Sequence, residues 1–121
     1  MIDSQPAPTQ FVPITDAEAV DALFDRSRRE PVLIFKHDPW CGISRRVEKE
    51  LRRLGGTLPT IDVARDRSIS LGLAERTGVQ HESPQVLLLR NGEAIWSASH
   101  RDVTSDKVTQ ALEATTPKRP G

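Results

Sequence analysis

One cysteine, Cys41, is all that this 121-residue chain contains. No internal disulfide can form, which fits a reducing compartment. Net charge is equally lacking: 17 basic residues cancel 17 acidic ones, leaving no excess of one sign to mark a nucleic-acid footprint or an anionic-membrane patch. No apolar stretch approaches the ~20 residues a membrane-crossing helix needs. Residues 1–13 are polar and proline-containing, without the basic-then-apolar order of a secretion signal. There is no glycine-rich phosphate loop and no serine–histidine–acid arrangement, and Asp38 and Glu82 make no convincing acid–base pair. The expectation is one soluble, cytoplasmic domain with neither nucleic-acid nor membrane partners, large enough for a modest core.

What is present reads as alternating helices and strands. Residues 1–10 and 115–121 are proline-containing and read as flexible tails around a domain over 11–114. Thr15 and Glu18 form a capping box for a first helix with Val20, Leu23 and Phe24 as its buried stripe. Val32 to Phe35 is apolar on both faces, as in a central strand. A second helix carries Val47, Leu51 and Leu54 and stops at Gly55-Gly56. Leu58 to Val63 predicts a second strand, and Ser68 a cap for a third helix ending at Gly78. Asn91-Gly92 between Val86–Leu89 and Ala94–Trp96 is a strong hairpin signal. Thr104 caps the last helix, with Val103 and Val108 as a hydrophobic staple. The helix enclosed by the first two strands makes them parallel, and the hairpin extends the sheet antiparallel. The predicted fold is α/β, a mixed four-stranded sheet between helices.

Cys41 stands where the first strand gives way to the second helix. A thiol there meets unpaired backbone N–H groups and the positive end of the helix dipole, both of which favour the nucleophilic thiolate. The plain alternative is a buried, inert cysteine, the usual fate of a lone thiol. Ser44, three residues on, occupies the place of the second thiol in a two-cysteine redox motif, so no internal resolving thiol exists.

Lys36-His37, Cys41, Ile43-Ser44, the block from His81 to Leu88, Arg90 to Glu93, Trp96 and Ala98 to His100 together resemble the monothiol bacilliredoxins, thioredoxin-like proteins of the bacillithiol redox system also known as general stress proteins. The resemblance covers residues 14–112. Where that family usually has Thr or Arg before the cysteine and Pro after it, this chain has Trp40 and Gly42; Cys-Gly-Ile-Ser is also similar to the Cys-Gly-Phe-Ser of monothiol glutaredoxins, some of which carry iron–sulfur clusters.

The resemblance implies a thioredoxin-like fold with Cys41 catalytic, and with Trp40, Gly42, Ser44, Ser83 and Pro84 around the substrate. It also implies a cis Ser83–Pro84 bond opposite the thiol, against the local preference for trans. Ser44 is expected to satisfy a backbone donor in the first helical turn and to hydrogen-bond the thiolate, roles that can hold together, and His37 and Arg45 to support the thiolate electrostatically, with Arg46 helping to attract an anionic thiol. His81 and Glu82 are expected to line the proline loop, and Trp96 to pack. His37, His81 and His100 invite a metal reading with Cys41. The four-residue spacing of His37 and Cys41 spans Pro39 at a strand–helix junction, however, so no metal is expected. The implied activity is thiol–disulfide exchange that removes bacillithiol, or a similar low-molecular-weight thiol, from mixed disulfides on proteins. It needs no bound cofactor; the partners are S-thiolated client proteins, the small thiol as co-substrate and a partner redoxin. Two alternatives stand beside it: a glutathione-dependent monothiol glutaredoxin or iron–sulfur carrier, and a non-catalytic thioredoxin-like binding module.

Overall fold

The computed structural model describes residues 7–115. In chain order the elements are β1 (Gln10–Pro13), α1 (Ala17–Arg26), β2 (Val32–His37), α2 (Gly42–Leu51), β3 (Thr57–Asp62), α3 (Arg67–Thr77), β4 (Gln85–Arg90), β5 (Glu93–Ser99) and α4 (Ser105–Thr115), with one-turn 3-10 segments at Arg52–Leu54 and His100–Asp102. They form one sheet in the order β1-β3-β2-β4-β5. β1, β3 and β2 run parallel, β4 lies antiparallel to β2, and β5 antiparallel to β4.

The central position of β2 follows from its composition: all six of its residues are buried, so both faces need cover. Side chains alternate between the faces of a strand, and two cores result. Val32 and Ile34 pack with Val20, Leu23 and Phe24 of α1 and Leu73 of α3. Leu33 and Phe35 pack with Val47 and Leu51 of α2 and Val108 of α4. Trp96 is partly buried against the second core, as expected of a packing residue.

The expected four-stranded sheet has a fifth strand, β1. Only four residues long and largely exposed, it has no alternating pattern to announce it; pairing with β3 and the packing of Phe11 against Phe35, ring centroids 6.0 Å apart, hold it. This places β3 inside the sheet with Pro59 in it. Thr60 O accepts from Ile14 N on the β1 side, so the neighbouring Pro59 nitrogen points toward β2. The β2–β3 ladder begins only at Thr60, and the missing N–H therefore breaks no bond.

Of the expected tails, residues 1–6 and 116–121 lie outside the described residues. Thr9 and Gln10, by contrast, belong to the fold: Thr9 is buried, its hydroxyl donates to Leu51 O at 2.7 Å, and Gln10 starts β1. Thr115 completes α4.

Two caps also differ from expectation. Asp16, not Thr15, caps α1, its carboxylate accepting from Ala19 N at 2.8 Å. Helix α3 begins at Arg67 after Asp66, so Ser68 already lies inside its first turn. Thr104 does cap α4, accepting from Lys107 N at 3.1 Å, and Val103 and Val108 are both buried. Asn91 and Gly92 take the positive φ values of 55° and 78° that a two-residue hairpin turn requires.

Candidate active site

Lys36 on β2 pairs with Gln85, the first residue of β4. The segment after β2, which carries Cys41, and the segment before β4, which carries Ser83 and Pro84, therefore leave the sheet at the same end. Cys41 is the N-cap residue of α2, with extended backbone angles of −101° and 126° and no side-chain capping bond. Its thiol is free and partly exposed. Asp38 shapes the approach: its carbonyl accepts from Cys41 N at 3.1 Å and its carboxylate from Trp40 N at 3.0 Å. That turn leaves Trp40 84 % exposed beside the thiol, with Gly42 exposed on the other side.

Ser44 satisfies a backbone donor at the start of its helix, one of its two expected roles. It is fully buried, and its hydroxyl oxygen accepts from Asp38 N at 2.9 Å while its proton goes to His37 Nδ1 at 2.7 Å. These bonds hold the 38–44 loop. His37 is likewise a brace. Its ring stacks on Phe35 with centroids 5.0 Å apart, and its Nε2 faces the Glu48 carboxylate at 3.6 Å. Burial lowers its pKa, against the opposing pull of Glu48, Asp62 and Asp38. Arg45 is exposed, and its guanidinium folds back to 4.0 Å from where a Cβ on Gly42 would stand, so its charge sits at the start of the cysteine helix.

The Ser83–Pro84 bond is cis. Ser83 is half-buried and Pro84 buried. The loop is tied on both sides: His100 N donates to Pro84 O at 2.8 Å, and Ser99 Oγ donates to Glu82 Oε1 at 2.8 Å. His81 and Glu82 both belong to this loop, as expected. Among the described residues, no group of three or more His, Cys, Asp or Glu side chains is placed to hold a metal, and no helix is long and apolar enough to cross a membrane.

The family model described as Monothiol bacilliredoxin BrxC matches residues 12–108. The chain belongs to the monothiol bacilliredoxin family. A solved protein assigned as an oxidoreductase with a thioredoxin fold is 26% identical at a TM-score of 0.72, the match covering 84% of this chain and 92% of that one. A single-substitution variant of thioredoxin from Halobacterium salinarum NRC-1 is similar in fold at 19% identity and a TM-score of 0.69, covering 98% and 99% of the two chains. Thioredoxin NaTrxh from Nicotiana alata is similar in fold at 16% identity and a TM-score of 0.71, covering 95% and 100%. The fold is thus thioredoxin-like, and the family is one of thiol oxidoreductases.

This bacilliredoxin also holds a buried cation that the sequence reading passed over. Lys36 is 0 % exposed. Its Nζ donates to His81 Nδ1 at 3.2 Å, and Ser70 Oγ reaches the same nitrogen at 3.1 Å, so Nδ1 is the acceptor and the imidazole is neutral. Burial pushes the Lys36 amine down to about 8. Burial, with Lys36 and Arg67 nearby, holds His81 below its usual value against the pull of Glu82. Lys36 thereby ties β2 to the proline loop from the sheet face opposite α2. The signal was legible: a lysine inside Val32–Phe35-Lys36-His37 continues the inward-facing set of Val32 and Ile34.

Proposed function

We propose that this chain is a monothiol thiol–disulfide oxidoreductase that removes bacillithiol, or a similar low-molecular-weight thiol, from mixed disulfides on proteins. The observation that carries the reading is Cys41 at the N-terminus of α2, partly exposed, with a buried and fully engaged serine three residues on where a resolving thiol would stand. The Cys41 thiolate attacks the small-thiol sulfur of a protein mixed disulfide. A new disulfide forms between Cys41 and the small thiol, the old bond breaks, and the client leaves as its thiolate. With no second cysteine in the chain, the adduct waits for an external thiol, either a second small-thiol molecule or a partner redoxin. That thiol attacks the adduct and frees Cys41. Trp40 and Gly42 flank the thiol on the open side, and the backbone of Ser83 beside cis-Pro84 lies at the same end of the sheet to align the client chain. Such exchange fits a reducing, cytoplasmic setting.

The test is intact mass spectrometry after a short pulse of bacillithiol, glutathione or mycothiol disulfide. Wild type should gain one small-thiol mass, fastest with the thiol it serves, and Cys41→Ser should gain none. A wild type that gains no mass, where a free thiol under the same conditions does, would overturn the reading in favour of a binding module.

A further inference from the structure

A cavity of about 150 Å³ opens beside the first two turns of α2, lined by Ile43, Arg46, Val47 and Glu50 of the helix and by Arg101, Val103 and Thr104 of the segment before α4. Its lining divides by chemistry. Ile43, Val47 and Val103 supply apolar wall. Glu50 is already engaged: its Oε1 accepts from Ser105 N and Ser105 Oγ, both at 3.0 Å, and its Oε2 faces Arg53. Those bonds to Ser105 hold its carboxyl below the usual range. Thr104 Oγ1 accepts from Lys107 N. Arg46 and Arg101, both exposed, have no carboxylate partner among the described residues. Two arginines from different elements, neither paired with a carboxylate, thus line one small recess.

Resting on the oxidoreductase reading, we infer that this recess is the specificity subsite for the small thiol, and that Arg46 and Arg101 receive its carboxylate. Guanidinium groups match carboxylates bidentately, which makes arginine suited to that recognition. The volume is well below the roughly 300–1,000 Å³ of sites that enclose a drug-sized ligand. It therefore takes one arm of the thiol, while the sulfur reacts outside at Cys41. Ile43 is two residues beyond Cys41 and Arg46 five beyond. At 1.5 Å per residue, Arg46 stands about 7–8 Å beyond Cys41 in backbone rise along the helix axis. The subsite selects small thiols that carry a carboxylate, and it discriminates against uncharged or cationic thiols.

Two measurements test this. The first compares adduct formation at Cys41 with glutathione disulfide, which is anionic, and with hydroxyethyl disulfide, which carries no charge, in wild type and in Arg46→Gln/Arg101→Gln. The ratio of the two rates should fall about tenfold in the double variant and lose most of its salt dependence. A ratio unchanged from wild type overturns the subsite while leaving the oxidoreductase intact. The second uses Cys41→Ser, where no reaction intervenes, titrated with S-methylglutathione and followed by amide NMR. Shifts at Ile43, Val103 and Thr104 that vanish when both arginines are replaced support the subsite, whatever the disulfides do. Absence of those shifts overturns it. A wild type inert to bacillithiol disulfide as well as to both of these disulfides condemns the oxidoreductase reading separately.

Discussion

Ser44 stands three residues after the only thiol and spends its hydroxyl on His37 and Asp38. Ser44→Cys puts a second thiol in the first turn of α2, a spacing that supports an internal disulfide in two-cysteine redoxins. The expected outcome, read by intact mass after a disulfide pulse, is loss of the small-thiol adduct and gain of an oxidised pair two hydrogens lighter. Persistence of the adduct would show that the introduced sulfur, buried against His37, cannot reach Cys41. Lys36 poses a different residue-scale question. Its amine is fully buried and held near 8, so the folded state bears the cost of the charge at neutral pH. Lys36→Met keeps the length of the side chain and removes the charge, and Ser70 still donates to His81. Urea unfolding at pH 7 should show a gain of about 1–3 kcal/mol, the desolvation relieved less the hydrogen bond lost. If the loop anchored by His81 aligns clients, the same variant should react more slowly with a protein mixed disulfide than with a small one.

At the level of elements, β1 does more than extend the sheet. Thr9, just before it, donates its hydroxyl to Leu51 O at 2.7 Å and accepts from Gly55 N at 2.9 Å, so this segment closes the C-terminal end of the cysteine helix. Thr9→Val keeps the shape and leaves both backbone groups without that partner. It should cost about 1–3 kcal/mol, measured as a lower urea midpoint at an unchanged slope. A cost near zero would mean that water replaces the hydroxyl. Helix α2 itself depends on its packed face: Leu51 is 0 % exposed within the second core, and Leu51→Ala should cost about 2–5 kcal/mol. Because the thiol sits at the opposite end of the helix, alkylation of Cys41 at low urea should slow less than global stability falls.

Over the whole molecule, two buried bases, Lys36 and His37, and the half-buried His81 set the response to pH. His37 and His81 are both held below the usual imidazole range. The unfolded chain therefore takes up their protons first, so stability is complete above about pH 6.5 and is lost as pH falls below it. Lys36 acts with the same sign at the alkaline end: unfolded, it keeps its proton up to 10.5, and folded only to about 8. Stability should rise as pH climbs through that window. In a Cys41→Ser background, which has no reactive thiol, the urea midpoint should increase from pH 5 to 7 and again from 7 to 9.5. The second increase should be absent once Lys36→Met is added. A rise that survives Lys36→Met would assign the alkaline limb to other groups.

Much of this protein was legible from its residues alone. Periodicity located four helices and four strands, because burial on one helix face or both strand faces writes itself into neighbouring positions. Asn91-Gly92 specified its turn because only such residues accept two positive φ values in a row. A lone thiol between a strand and a helix, inside the string from Lys36 to His100, pointed to the family and its chemistry. Tertiary structure alone decided the rest. The pairing of β1 with β3 rests on contacts some 47 residues apart in sequence, and the freedom of Pro59 rests on where the β2 ladder starts. The bond of Lys36 to His81 and the shared recess of Arg46 and Arg101 join distant parts of the chain, and the inward turn of Ser44 depends on where His37 is packed. No local pattern carries such pairings, because hydrogen bonding and burial depend on which surfaces the folded chain brings together.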